Sequence, residues 1–179
     1  MKLPELQLLG HHQQIENFNY MKLQDKIKNN TIIYPFKSID KSTAIQELLN
    51  CLLEEKFLTG TTKLFSFIED HTKIMNPAVG RGIAYHHSSS IEVEDIVAVF
   101  GVSQSGIDYK SPDQQKVHFI LLVLDPIDNP TIHRKFIHRF QKFINGLNIK
   151  TKLLECNSSE QIMKLVYNWE DEYLLNEEI

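Results

Sequence analysis

The sequence predicts an α/β domain in which helices cover a partly parallel, mixed sheet. Two observations carry the prediction. Apolar runs of strand length, Thr31–Tyr34, Ile96–Phe100 and Val117–Leu124, alternate with segments whose apolar residues recur every three or four positions. No internal repeat or low-complexity linker interrupts the series. At 179 residues, 42% of them hydrophobic, the chain suffices for one domain with a real core.

Residues 1–22 show little periodicity and read as an N-terminal extension, with the folded domain expected over 23–172 and an acidic tail over 173–179. The His11-His12 pair in the extension lacks a third ligand at metal-binding spacing. Thr31-Ile32-Ile33-Tyr34, halted by Pro35, reads as a short strand. Asp40 or Thr43 can cap the next helix, in which Ile45, Leu48, Leu49, Leu52 and Leu53 form the apolar stripe. A second helix begins near Thr61 or Thr62, keeps Leu64, Phe65 and Ile68 on one face, and ends before Pro77. Ile96–Phe100 and Val117–Leu124 are strands, the second apolar on both faces and so central, joined through the turn-rich segment Gly106–Asp113.

Asn129-Pro130 supplies a helix start, because asparagine satisfies free backbone donors and proline tolerates the first helical position. Ile132, Phe136, Ile137, Phe140, Phe143 and Ile144 then share a face, and Gly146 fits just past the end. Lys150–Leu154 is expected to form a last strand. A closing helix follows, with Ser158 and Gln161 at its start and Ile162, Leu165, Val166 and Trp169 facing inward.

The chemistry-bearing stretch is Pro77–Ser90, where Gly80 and Gly82 precede the pair His86-His87 and three serines. Glycine freedom there predicts a flexible loop that delivers His87 beside small hydroxyl donors. Independently, His133 falls within the apolar stripe of its helix and points inward, whereas His138 lies on the opposite, wet face. A metal site built from His86, His87, His118 and His133 is a weaker reading, since adjacent histidines rarely reach one ion and no carboxylate or cysteine joins them at characteristic spacing. Nothing resembles a nucleophile elbow or a Cys-His pair with an orienting acid.

A formal charge of −4 and a pI near 6.1 argue against a nucleic-acid binder, and no run is long enough for membrane insertion. The start of the chain lacks the apolar core of a signal peptide, and Cys51 and Cys156 read as buried free thiols, so a cytoplasmic location is expected.

Gly80-Arg81-Gly82-Ile83-Ala84-Tyr85-His86-His87 resembles the phosphoacceptor segment of the type-2 IIA domains of the sugar phosphotransferase system. In that fructose, mannitol and nitrogen-regulatory branch, Gly-x-Gly-Ile-Ala-Ile-Pro-His ends on the phosphorylated histidine. Gly106-Ile107-Asp108-Tyr109, Pro112-Asp113, and Val117–Leu124 with Pro126 extend the resemblance, which spans roughly Leu23 to Trp169. It implies an α/β/α sandwich, His87 as phosphoacceptor and His133 as the histidine that steadies the phosphoryl group. Ser88, Ser89 and Arg81 are then candidate phosphoryl contacts, and no metal or cofactor is required. The implied partners are a phosphocarrier protein and a sugar-transporter domain or regulated target protein, with a regulatory role favoured.

This chain departs from the pattern at several points. His71-Thr72 stand where the family has Arg-Glu, Asn76-Pro77-Ala78 where it has Ser-Thr-Gly, His86 where it has proline, and Arg134 where it has leucine. The departures keep a second reading open: a catalytically silent IIA-like module that regulates a partner by binding.

Overall fold

The computed structural model describes residues 21–129 and 131–177. The His11-His12 pair, most of the N-terminal extension, Pro130 and the last two residues of the acidic tail lie outside them. The described elements are α1 (Leu23–Lys26), a short 3-10 turn (Asn29–Thr31), β1 (Ile32–Ile33), α2 (Lys41–Glu54), α3 (Thr62–Ile74), β2 (Ala78–Gly80) and β3 (Ile83–Ser90). After these come β4 (Val97–Ile107), β5 (Val117–Pro126), α4 (His133–Ile144), α5 (Ile149–Glu155) and α6 (Ser159–Glu177).

The five strands form one mixed sheet in the order β1-β4-β5-β3-β2. β1 runs parallel to β4 and β3 parallel to β5, while β4 with β5 and β2 with β3 are antiparallel. The expected α/β class and the central position of the Val117–Leu124 strand both hold. Centrality explains the composition of β5: with neighbours on both edges and helices on both faces, no position from Phe119 to Leu124 meets water.

Two cores sandwich the sheet. On one face α4, α5 and α6 press Phe136, Phe140, Phe143, Leu153, Ile162 and Val166 against Phe100, Leu121 and Val123. On the other, α2 and α3 bury Ile45, Leu48, Leu49, Leu52 and Ile68 against Val99, Ile120, Leu122 and Leu124. Asp40 caps α2 as expected, its carboxylate accepting from the Thr43 amide at 2.9 Å. Leu53 is the one member of the anticipated stripe that lies more than a third exposed.

Two local expectations are corrected. Lys150–Leu154 lies within helix α5, not a strand: Ile149 and Leu153, four apart, bury together on the α4–α6 face, and a short apolar window fits either period until packing decides. Helix α4 begins at His133 rather than at Asn129, whose amide instead closes a turn onto the Pro126 carbonyl. The acidic segment after Trp169 continues helix α6 to Glu177, and Glu170 is fully buried. Its carboxylate accepts from the Leu23 amide at 2.7 Å, the Gln24 amide at 3.0 Å and Arg139 Nε at 2.7 Å, fastening α1 to the last helix.

Candidate functional site

His87 is delivered by a strand, not by the flexible loop that its glycines suggested. Gly80, Arg81 and Gly82 all have positive φ, so the glycine freedom is spent on the tight β2–β3 turn. From Ile83 to Ser90 the chain then pairs continuously with Phe119 to Pro126 of β5. The polar run His86–Ser90 has weak strand character of its own; its ladder with an apolar neighbour imposes the extended form.

Strand alternation separates the two histidines. Ile83 and Tyr85 pack on the α4–α6 core, so His87 and Ser89 share that face. Ala84 belongs to the α2–α3 core, and His86 points the same way, buried with Nε2 3.2 Å from the Tyr109 hydroxyl. Burial, with help from the charge of Lys41, pushes the His86 pKa down to about 3, so this ring is neutral at ordinary pH.

Asp125 lies on the same face as His87. It pairs in register with Ser89, two residues beyond His87, and the chain then turns so that α4 starts with His133 above the same spot. His87 Nε2 is 3.1 Å and His133 Nδ1 2.5 Å from one oxygen, Asp125 Oδ2, and the two rings stack with centroids 3.7 Å apart. Asp125 is fully buried, and its Oδ1 has no hydrogen-bond partner. A buried carboxylate is stable only when paired, and an ionised one can only accept, so both ring nitrogens donate. That arrangement fixes which nitrogen of each ring carries hydrogen.

His87 keeps a third of its side chain exposed. Burial lowers its pKa below 6.5, proximity to His133 lowers it further, the hydrogen bond and charge of Asp125 pull it back up, and His71 opposes protonation weakly. The net result is a neutral imidazole at physiological pH, the form a nucleophile needs.

The exposed edge of the ring opens on a cleft of about 640 Å³ between α3 and the outer edge of β3. Lys63, Phe67, His71 and Thr72 line the α3 wall, and His87, Ser88 and Ser89 the β3 wall. Ser88 and Ser89 therefore both border the cleft, although Ser88 is buried and faces the α2–α3 layer. Arg81 does not: it sits in the β2–β3 turn, about 20 Å along the strand from His87 at some 3.3 Å per residue. Its charge acts instead on Tyr85 and Lys150.

The four-histidine cluster is not assembled, because His118 is turned to the Ser103 carbonyl at 2.8 Å and His86 to Tyr109. The carboxylate that the sequence withheld is Asp125: with His87 and His133 it places three donor atoms within 4.8 Å of one another, a set that suits a zinc-like ion. An acidic residue closing an otherwise apolar central strand was the available signal. Only the β3–β5 register brings it to His87.

A mixed five-stranded sheet between helical layers, with a part-exposed histidine stacked on a second histidine at the carboxyl end of parallel strands, defines an α/β/α domain with a histidine-centred cleft. The chain belongs to the family described as "Phosphoenolpyruvate-dependent sugar phosphotransferase system, EIIA 2", whose model matches residues 25–169. It is 27% identical over 148 residues to a nitrogen regulatory protein of Bradyrhizobium diazoefficiens, covering 82% of this chain and 95% of that protein. It is also 24% identical over 146 residues to a fructose-specific EIIABC component of Bacillus subtilis, again over 82% of this chain but only 23% of the larger protein.

Solved structures agree on the fold. The nitrogen regulatory protein IIA-Ntr of Neisseria meningitidis superposes with a TM-score of 0.70 at 18% identity, over 79% of this chain and 97% of that one. IIA mannitol of Escherichia coli gives 0.67 at 15% identity, over 79% and 99%. A IIA mannitol from the same organism has been solved in complex with phosphorylated IIB mannitol. No helix among the described residues is long and apolar enough to cross a membrane.

Proposed function

We propose that this chain is a phosphoryl-accepting and phosphoryl-transferring IIA-type protein, charged on His87 by a phosphocarrier protein in the cytosol and serving a regulatory role. The observation that carries the reading is the stacked pair His87–His133, in which His87 is neutral and opens on a cleft where a phosphoryl group would meet Ser88, Ser89, Lys63 and His71. Phosphoryl transfer asks chiefly for positioning and charge stabilisation, and these groups offer both without a metal. His133, tethered through Nδ1, leaves its other nitrogen to meet a phosphoryl oxygen. The regulatory part rests on similarity to nitrogen regulatory proteins. The partners would be the phosphocarrier and a sugar-transporter domain or target protein, docked where Phe67, Ile74 and Met75 expose apolar surface beside the cleft.

Incubation with the general phosphotransfer enzyme, phosphocarrier protein and phosphoenolpyruvate tests the reading. An acid-labile gain of one phosphate, lost in His87→Ala and reduced in His133→Ala, is expected. No gain from a demonstrably charged carrier overturns it.

The silent binding module has one observation in its favour. The buried carboxylate against His87 is a charge that repels a phosphoryl dianion, and the family arginine is absent. Under that reading His87→Ala binds its partner as well as the wild type does.

A further inference from the structure

We infer that His87, Asp125 and His133 form a binding site for one zinc-like divalent ion, and that an ion held there switches phosphoryl uptake off. The switch rests on the phosphoacceptor role proposed above and adds a regulator to it; the site itself rests on geometry alone.

Two independent observations carry the site. The first is the donor set. His87 Nε2, Asp125 Oδ2 and His133 Nδ1 lie within 4.8 Å of one another, and both nitrogens face the same oxygen, at 3.1 Å and 2.5 Å. Donors placed tetrahedrally about 2.1 Å from an ion stand about 3.4 Å apart, so each nitrogen need withdraw from the oxygen by less than about 1 Å to admit one. His87 has the room to do so, with 33% of its side chain exposed against 16% for His133. The second observation is an unused acceptor. Asp125 is fully buried, yet its Oδ1 has no hydrogen-bond partner. Buried polar atoms without partners are rare and costly, and a cation satisfies both oxygens of such a carboxylate at once.

The donor chemistry selects the ion. Two imidazoles and one carboxylate suit zinc and its neighbours in the first transition row, whereas magnesium and calcium ask for oxygen donors. Three protein ligands leave a fourth position to water. Of the three residues His87 lines the cleft, so the ion enters, and meets its water, from that side.

Coordination silences the nucleophile. Each ring nitrogen that now donates to Asp125 gives up its hydrogen to bind the ion, and in a neutral imidazole hydrogen returns to the ring's other nitrogen through solvent. His87 then carries the ion on Nε2 and hydrogen on Nδ1, and neither nitrogen keeps a lone pair for phosphorus. Loss of the ion restores the hydrogen bonds to Asp125 and the free lone pair with them.

Zinc alone is the probe, titrated into the full chain carrying His11→Gln and His12→Gln so that the N-terminal pair does not compete. One equivalent is expected to bind, with affinity reduced about a hundredfold or more by Asp125→Asn, which keeps the shape, and by His133→Gln. Cobalt in place of zinc should show the intense visible bands of a four-coordinate ion, a reading that needs no substitution at the site and so stands if a variant unfolds. Zinc-loaded protein, freed of excess metal, should take no phosphate from purified charged carrier, and a chelator should restore uptake. Less than one equivalent bound, equal affinity in Asp125→Asn, the faint bands of six-coordinate cobalt, or uptake undiminished by zinc each overturn the inference and leave the proposed function standing. Metal-free protein that takes no phosphate from a charged carrier overturns that function and the switch together, while the titrations still decide the site.

Discussion

His86 and His87 are adjacent in the chain and occupy opposite faces of the sheet, one sealed against Tyr109 and the other stacked on His133. The two imidazoles consequently report on different things, the first on the packing between β3 and the α2–α3 layer and the second on the cleft.

Acid should unfold this protein partly through His86. Its pKa is near 3 in the folded state against 6.5 in the unfolded chain, so the unfolded chain binds the extra proton between those values. Stability contributed by this group is full above pH 6.5 and is lost as pH falls from there toward 3. Denaturant melts of the wild type should lose stability more steeply than those of His86→Gln in that window, by up to about 1.4 kcal/mol per pH unit. Parallel slopes would show that the buried ring does not govern the transition.

His87 should remain reactive into mild acid. Because burial and His133 hold its pKa below 6.5 against the pull of Asp125, the neutral ring persists below the pH at which free imidazole protonates. The rate of phosphoryl uptake from a charged carrier, followed against pH with the carrier's own titration subtracted, should fall with a midpoint below 6.5. A midpoint above 6.5 would mean that Asp125 dominates.

His71 occupies the cleft wall on α3, and its charge is felt at His87. Replacing it with alanine removes a donor to the phosphoryl oxygens and should slow charging by about tenfold, the worth of one charge-assisted hydrogen bond. His71→Arg should charge at least as fast as the wild type. Equal rates in all three proteins would place the phosphoryl group out of reach of α3.

Glu170→Ala should be costly wherever it is measured by reversible unfolding. The fully buried carboxylate holds two backbone amides and the Arg139 side chain, and one guanidinium nitrogen of Arg139 already lacks a hydrogen-bond partner. Leaving Arg139 uncompensated should cost about 3–5 kcal/mol, whereas Arg139→Met with Glu170→Gln together should cost less than the two changes summed.

Legibility followed physical strength. Helix α2 could be read because its cap and its stripe agree, and β5 because a run apolar on both faces has one sensible place in a sheet. Strand β3 could not, since its last five residues are polar and owe their extended form to the neighbour beside them. Helix α5 was lost to a window too short to show its period. At the site, the sequence yielded the two histidines that meet but not the carboxylate they share, because Asp125 joins them only through strand register and a helix that returns over the sheet. Arg81 looked close because six residues separate it from His87, yet in a strand six residues is a long way.

The clasp between Leu23 and Glu170 spans 147 positions. On a ribosome, this clasp closes only after nearly all of the domain has been made, although Lys26 of α1 finds Asp95 to pair with much earlier. A chain stalled short of residue 170 would hold its sheet with the Leu23 and Gln24 amides still without the carboxylate that receives them in the finished protein.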